Sequence, residues 1–345
     1  MRFIKRLCGF LIVLVVVLIA VAFVLPDHAH VERSVVIDRP ASQIHALLNS
    51  FRRFNEWSPW AAKDVRAKYS YSGPESGVGA KFAWIGDPST VGSGSQTIIS
   101  SVAPQYVSLA LDFGDRGQSA AKFTLTPDPK GTHVSWTLDS DLPLNPDRRF
   151  LWNLVGRYMG LFMDRLVGPD YEAGLERLKS LAASFPNVDI AGIEPSVEDV
   201  EPRPILFVSA STANDPDAAK TVLSAAYAAI AVVMKTNGIS FRGAPLTLTT
   251  AFDGQTWTFD AAVPVDQNDV PVDTAVKAGT TPSGKVLRVI HTGSYQSITG
   301  TVEKAYAWIA VHGLTPRDRM MEEYITDPAT TPVDQLQTLI RIPVK

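Results

Sequence analysis

The amino-acid sequence predicts an α+β protein: an N-terminal transmembrane helix followed by two domains, each built on an antiparallel sheet. Three observations predict this. An uncharged, apolar run of 19 residues, Leu7 to Leu25, opens the chain. Between residues 31 and 184, β-like runs separated by turn signals give way to a long helical pattern. From residue 204 onward the chain repeats itself at an interval of 79 residues, Tyr227 recurring as Tyr306. The length of 345 residues suits two domains at roughly 150 residues each. With 46% hydrophobic and 19% charged residues, a disordered chain is excluded. A net charge of −3 offers no basic surface for nucleic acid, which is not expected as a partner. The single cysteine, Cys8, excludes an intramolecular disulfide framework and any cysteine-rich metal site. The six histidines show no HxxxH or HExxH spacing, and no metal or cofactor is expected.

The first element is the apolar run. At about 1.5 Å per residue, 19 residues nearly span a hydrocarbon core of about 30 Å. Arg2, Lys5 and Arg6 precede it and Asp27 and Glu32 follow. The positive-inside rule then puts the N-terminus in the cytoplasm and the rest of the chain on the extracytoplasmic, periplasmic side. A cleaved signal peptide with Ala20 and Ala22 as an A-x-A site is the rival reading. A retained single-pass anchor is favoured, because the run continues past Ala22 through Val24 and Leu25. Cys8 reads as a small apolar filler of that helix.

Residues 31–184 form the first domain. Val31, Val35 and Ile37 share one face of an opening strand, and Pro40-Ala41-Ser42 starts a short helix to about Leu48. From Lys68 to Leu138 the turn signals are Ser72-Gly73-Pro74, Gly86-Asp87-Pro88, Asp115-Arg116-Gly117 and Asp128-Pro129-Lys130-Gly131, the spacing of an antiparallel meander. Gly92-Ser93-Gly94-Ser95 reads as a flexible loop, and Trp57-Ser58-Pro59-Trp60 as a packed one. From about Asp147 to Ser184 the pattern is helical, with a kink or break expected at Gly168-Pro169. Trp57-Ser58-Pro59-Trp60, Gly77-Val78-Gly79-Ala80, Phe82-Ala83-Trp84, Gly131 to Trp136 and Glu172 to Lys179 resemble the SRPBCC, START-like superfamily often labelled polyketide cyclase. The resemblance implies a helix-grip fold, a curved antiparallel sheet around a long C-terminal helix. It also implies an apolar cavity for hydrophobic or lipid-like molecules, with Trp84 a candidate ligand contact.

Residues 185–203 read as an extended linker, in which Pro186, Pro195 and Pro202 accompany an acidic run. The second domain, 204–345, is the repeat. Ala226 to Val232 recurs as Ala305 to Val311, and Val263-Pro264-Val265 as Ile342-Pro343-Val344. Each unit reads β-α-β-β, its helix stopped by Gly238 or Gly313, and two such units are expected to form one sheet about a pseudo-twofold. His291 to Tyr295, Met321 to Pro328 and the Ile342 repeat resemble the GyrI-like effector-binding domain. The absence of a preceding helix-turn-helix motif departs from the transcription-factor architecture. The resemblance implies a glutamate two residues before a tyrosine in an aromatic-lined pocket, here Glu322 and Tyr324. It also implies amphipathic, often cationic or aromatic, small-molecule ligands. In some members it implies hydrolysis by that glutamate and a tyrosine, here Glu322 and Tyr295.

The residues support the same site without the family. On a strand Glu322 and Tyr324 share a face and Glu323 points away. A carboxylate in an aromatic pocket selects a cationic or hydrogen-bond-donating ligand, and the same burial raises its pKa toward acid–base duty. Tyr227, Tyr295, Trp257, Phe259 and Trp308 are the candidate pocket walls, core packing being the alternative for each. The alternative for Glu322 is a surface ion pair with Arg317, Arg319 or Arg341. His291 reads as a turn or strand-end residue. The resulting expectation is a membrane-anchored binding protein for hydrophobic and amphipathic small molecules, with a small-molecule hydrolase as the second possibility.

Overall fold

The structure, a computed structural model, describes residues 2–114, 117–144, 150–268 and 275–345. The turn expected at Asp115-Arg116 and the helix start expected at Asp147 lie outside the described residues. The chain forms two compact units, Met1–Asp189 and Ile190–Lys345.

The first unit opens with α1 (Arg2–Ala22), whose apolar side chains from Phe10 to Leu18 are exposed. It continues through β1 (His28–Ile37), α2 (Ala41–Leu48), α3 (Phe54–Trp57), β2 (Lys68–Ser72), β3 (Lys81–Ile85), β4 (Ser93–Val102), β5 (Tyr106–Asp112), β6 (Gln118–Asp128) and β7 (Gly131–Asp141). Two helices, α4 (Phe150–Gly160) and α5 (Met163–Ala183), complete it. The seven strands make one antiparallel sheet in the order β1-β7-β6-β5-β4-β3-β2, so β2 to β7 are a meander that β1 extends at β7. Alternation decides the faces: on β7, Val134, Trp136 and Leu138 are buried, and they share a face opposite to His133, Thr137 and Asp139. On the buried face the ring of Trp136 stacks on Tyr171 of α5 at 3.7 Å and 12°. Trp57 meets Trp136 and Phe123 edge-on, at 5.7 and 6.0 Å. Each such pair adds about 0.5–1.5 kcal/mol beyond its buried area.

Two expectations for this unit are corrected. Gly92 to Ser95 is not a flexible loop: β4 begins at Ser93, and Gly94 sits where a Cβ would lie 2.6 Å from the Trp84 ring and 2.7 Å from the Asp112 carbonyl oxygen. The glycine is there for close approach inside a sheet, which reads like loop composition in one dimension. Nor does Gly168-Pro169 break the helix, for α5 continues through Pro169. Arg33 on β1 clamps the helix on both sides of the proline, donating to Asp164 Oδ1 at 2.8 Å and Glu172 Oε1 at 2.6 Å. The interruption falls earlier, between α4 and α5, where Leu161 and Phe162 bond back only three residues, to Tyr158 and Met159.

The second unit comprises β8 (Ser196–Val200), β9 (Pro204–Ala213), α6 (Pro216–Asn237), β10 (Leu246–Phe252), β11 (Thr256–Pro264), β12 (Lys277–Thr280), β13 (Gly284–Thr292), α7 (Ile298–Val311), β14 (Met320–Tyr324) and β15 (Gln337–Pro343). They form one eight-stranded antiparallel sheet, β12-β9-β11-β10-β14-β15-β13-β8. The repeat is structural. β9-α6-β10-β11 matches β13-α7-β14-β15, the two halves join at β10 and β14, and β12 and β8 extend the two ends alike. Even single bonds recur: Arg242 N donates to Pro264 O at 2.9 Å, and Arg317 N to Pro343 O at 3.0 Å. Asp215 caps α6 by accepting from Ala218 N at 2.8 Å, and Gly238 ends it at φ 67°. Leu206, Ile230, Met234 and Val263 form the core at α6, and Leu287, Val289, Ile309, Ile340 and Ile342 that at α7.

The extended linker expected over 185–203 holds an ordered strand. β8 pairs with β13, and Glu198 accepts from Arg341 Nε at 3.2 Å. A short, charged segment suits a sheet edge, which explains why its acidic composition reads as a connector. Among the described residues α6 is the one helix long and apolar enough to cross a membrane, though Ala226, Ile230 and Met234 bury one face of it. The apolar stretch of α1 from Arg6 to Ala22 is shorter.

Candidate functional site

The central strand β14 carries the site of the second unit. Its alternation turns Met320, Glu322 and Tyr324 to one face and Met321 and Glu323 to the other. Met320 belongs to the core cluster that contains Ile298, Ala305 and Ile309 of α7, so the first set faces the helices. Met321 packs instead with Ile205, Leu246 and Leu248.

The two neighbouring glutamates have opposite environments. Glu322 is 8% exposed, and the hydrogen bond it accepts is a long one, 3.5 Å from the Tyr324 hydroxyl. Burial pushes its carboxyl up to about 7 against the small opposing pull of that hydroxyl. Glu323 is equally buried, yet Arg203 grips both its oxygens at 2.9 and 3.0 Å and Arg341 adds a third bond at 2.7 Å. Burial alone would raise Glu323, but the two guanidinium groups outweigh it and hold the carboxyl below its ordinary value. The alternative of a surface ion pair for Glu322 is therefore not what the chain builds. Arg341 serves Glu323, Arg319 Nη1 donates to Asp260 at 2.8 Å, and Arg317 Nε donates to the Val344 carbonyl at 3.2 Å.

Around Glu322 the sheet and helices assemble hydroxyl and aromatic groups. Thr247 lies directly across the β10–β14 pair, its Oγ1 3.2 Å from the Tyr324 hydroxyl. Tyr324 is pushed well up, first by burial and then by the charge of Glu322. Tyr227 reaches in from α6, donating to the Leu246 carbonyl at 3.0 Å. Burial and then the charge of Glu322 push it up as well. Tyr295 packs edge-on against Tyr324 at 5.5 Å and is 39% exposed, so it stands at the rim. Thr338 pairs across from Tyr324, and its fully buried Oγ1 has no hydrogen-bond partner among the described residues.

Not every expected wall belongs to this group. Trp257 is half-buried, its Nε1 donating to Thr249 Oγ1 at 3.0 Å. Phe259 stacks at 4.0 Å from Trp257 but is wholly buried with Ala226 and Ala261, a core residue. Trp308 packs on the α7 core and stacks on His312 at 3.6 Å, which accounts for an aromatic where its repeat mate is Ala229. His291 is buried inside β13, bonded to Thr301 Oγ1 at 2.8 Å and Ser294 O at 3.0 Å, and holds the turn into α7. The sequence reading missed Thr247, Thr249 and Thr338, since threonines carry no motif. The repeat held the signal for Thr247. Gly238 and Gly313 are 75 residues apart, and the same offset makes Thr247 the mate of Glu322.

In the first unit Trp84 is half-buried, its Nε1 donating to Val91 O at 3.2 Å and its ring edge-on to Phe113 at 6.0 Å. Beneath α5, Trp57, Phe123, Trp136 and Tyr171 pack ring against ring. Among the described residues, three buried donors of this unit, Trp57 Nε1, Trp136 Nε1 and Gln96 Nε2, have no acceptor.

Two family models match the chain. Residues 28–183 match polyketide cyclase / dehydrase and lipid transport, and residues 193–345 match the GyrI-like small molecule binding domain. Each match covers less than half of the chain, and the two follow one another in the order polyketide cyclase-type, then GyrI-like. The first description is of polyketide cyclisation and lipid transport, the second of small-molecule binding. Among solved structures, the EcmrR C-terminal domain is 16% identical, with 45% of this chain and 98% of that chain covered and a TM-score of 0.40. An uncharacterized conserved protein from Listeria innocua is 16% identical, with 44% and 92% covered and a TM-score of 0.36. A hydrolase from the same organism is 18% identical, with 44% and 92% covered and a TM-score of 0.33. No curated protein matches the chain.

Proposed function

We propose that the chain is a membrane-anchored, extracytoplasmic binding protein whose GyrI-like domain takes an amphipathic, cationic small molecule at Glu322. The observation that carries this reading is the contrast between adjacent glutamates. Glu323 is neutralised by two arginines, whereas Glu322, also buried, has among the described residues a single long bond, to a tyrosine. A buried carboxylate left without a counter-charge costs several kcal/mol, roughly what a cationic ligand recovers. Tyr227, Tyr295 and Tyr324 supply the aromatic faces such a cation prefers, and the orphaned Thr338 hydroxyl offers a further polar contact.

The first domain takes a hydrophobic or lipid-like molecule with an acceptor group. The three unpaired interior donors support this, since an unsatisfied buried N–H costs about 1–3 kcal/mol and a bound acceptor removes that cost. For the membrane reading, the exposed apolar face of α1 is joined by exposed Val155, Met159, Leu161, Phe162 and Leu166 at α4 and the start of α5. Tyr158 ties α4 to α1 by donating to Leu18 O at 2.6 Å.

The test is native mass spectrometry of the detergent-solubilised chain to identify ligands, then calorimetric titration with one cationic and one neutral aromatic compound. Glu322→Gln is expected to weaken the cation by roughly 1–3 kcal/mol and the neutral compound much less. Equal losses in Glu323→Gln would overturn the assignment. One observation favours catalysis as a second reading: a carboxyl near 7 beside a tyrosine is suited to exchange a proton at neutral pH. Turnover of small electrophilic esters or epoxides that vanishes in Glu322→Gln would establish it.

A further inference from the structure

We propose that His28, His30 and Asp139, on the outer face of the first sheet, bind a divalent transition-metal ion of the zinc class. The site arises from strand geometry. His28 and His30 stand two apart on β1 and therefore share a face, as do Asp139 and Asp141 on β7. The antiparallel register sets His28 opposite Asp141 and His30 opposite Asp139. The result is a two-by-two array of imidazoles and carboxylates, at an edge where the sheet is open to solvent.

The three donors stand close enough together to surround one ion after small side-chain shifts. Asp139 Oδ1 lies 2.7 Å from His30 Nδ1 and 3.2 Å from His28 Nε2, and the three donors all lie within 4.8 Å of one another. Tetrahedral zinc with bonds of about 2.0–2.1 Å needs neighbouring ligands about 3.3 Å apart. Two imidazole nitrogens thus converge on one carboxylate oxygen, which accepts from both rings without a metal and becomes the third ligand when an ion takes the place of those protons.

The groups behind the ligands point the same way. The other nitrogen of His28 is 3.4 Å from Asp141 Oδ1, and the other nitrogen of His30 is 3.7 Å from Glu32 Oε2. Each ring thus has a carboxylate on the side away from the proposed ion, the arrangement that orients a ligating histidine and raises its basicity. A polar groove of about 440 Å³, lined in part by Asp112, Asp139 and Asp141, leaves the fourth position open to water or a further ligand. Imidazole donors select zinc, copper or nickel over magnesium and calcium. His28-Ala29-His30 is a closer spacing than HxxxH or HExxH, so it lies outside the patterns behind the expectation of no metal.

The test is equilibrium dialysis of the full chain in detergent against Zn²⁺ alone, with Co²⁺ for spectroscopy. One Zn²⁺ per chain is expected, with the intense visible absorption of low-coordinate Co²⁺. His28→Ala and His30→Ala should each weaken binding at least tenfold. His30→Gln, which keeps a hydrogen-bonding side chain at that position but is a poor ligand, should do the same, and His133→Ala should change nothing. Asp141→Asn and Glu32→Gln, which leave all three donors, should each weaken it about tenfold. All these side chains are at least partly exposed, so the variants are expected to keep the wild-type circular dichroism. Zn²⁺ binding that survives the His28→Ala/His30→Ala pair, no binding at all, or equal affinity for Mg²⁺ overturns the proposal.

Discussion

At the residue scale, the chemistry of the second domain is set by which glutamate has a counter-charge. Glu322 sits at about 7 when folded, above its ordinary value near 4.5, because burial disfavours the charged form. The folded state therefore binds the proton more tightly than the unfolded state between those values. Its contribution is present below about pH 4.5 and is lost as pH rises through about 7, a difference of about 3 kcal/mol. Urea denaturation at pH 5 and pH 8 should show this slope in the wild type, and Glu322→Gln should flatten it. Affinity for a cationic aromatic ligand should rise as pH increases through 7, when the carboxylate forms, while a neutral analogue should show no such step. Calorimetry across that range distinguishes the two. Glu323→Gln should behave differently: it strands Arg203 and Arg341 without their partner and should cost about 1–3 kcal/mol of stability, with ligand binding preserved. Glu322, Glu323 and Tyr324 were legible at this scale, because strand alternation is a local rule. Thr338 was not, since its place opposite Tyr324 depends on a register between strands.

At the element scale, composition misled where a residue type serves packing. Gly94 resembles loop glycine, but it lies inside β4 because Trp84 and the Asp112 carbonyl approach within 3 Å of where a Cβ would be. Gly94→Val should therefore destabilise the first domain by about 1–3 kcal/mol, read as a lowered thermal midpoint followed by tryptophan fluorescence. Ser95→Ala, on the opposite face of the same strand, should shift it by at most about 0.5 kcal/mol. Pro169 misled in the opposite sense. A proline inside a helix removes one backbone bond, yet α5 continues across it, with Arg33 bonded to Asp164 and Glu172 on either side. Neither Gly94's neighbours nor Arg33 is adjacent in sequence to the residue it controls, so no local pattern could reveal them.

At the scale of the whole molecule, the proposed anchor predicts where the protein is found. The chain should fractionate with membranes and resist carbonate and high-salt washing, because α1 carries no charged residue after Arg6. A soluble mature chain beginning near Phe23 would show a cleaved signal instead. The interior donors of the first domain predict that a lipid with a carboxylate or carbonyl head shifts tryptophan emission, since two of the three orphaned donors are the indoles of Trp57 and Trp136. An emission spectrum unchanged by every such lipid would leave those indoles buried for structural reasons alone.

The sequence by itself determined the order of parts: apolar helix, meander with its late helices, and a duplicated βαββ unit. Each of these rests on short-range periodicity, turn chemistry or literal repetition, which a chain displays without being folded. It also determined that Glu322 and Tyr324 share a face. Only the tertiary structure decided which glutamate lacks an arginine, that Phe259 and Trp308 are core, and that β8 closes an edge of the sheet. It alone brought His28 and His30 to Asp139, 111 and 109 residues further along the chain. The physical reason is common to all four. Counter-charges, burial and metal-ligand geometry act over a few ångströms in space, and the residues that supply them are set side by side by strand pairing and helix docking rather than by position along the chain.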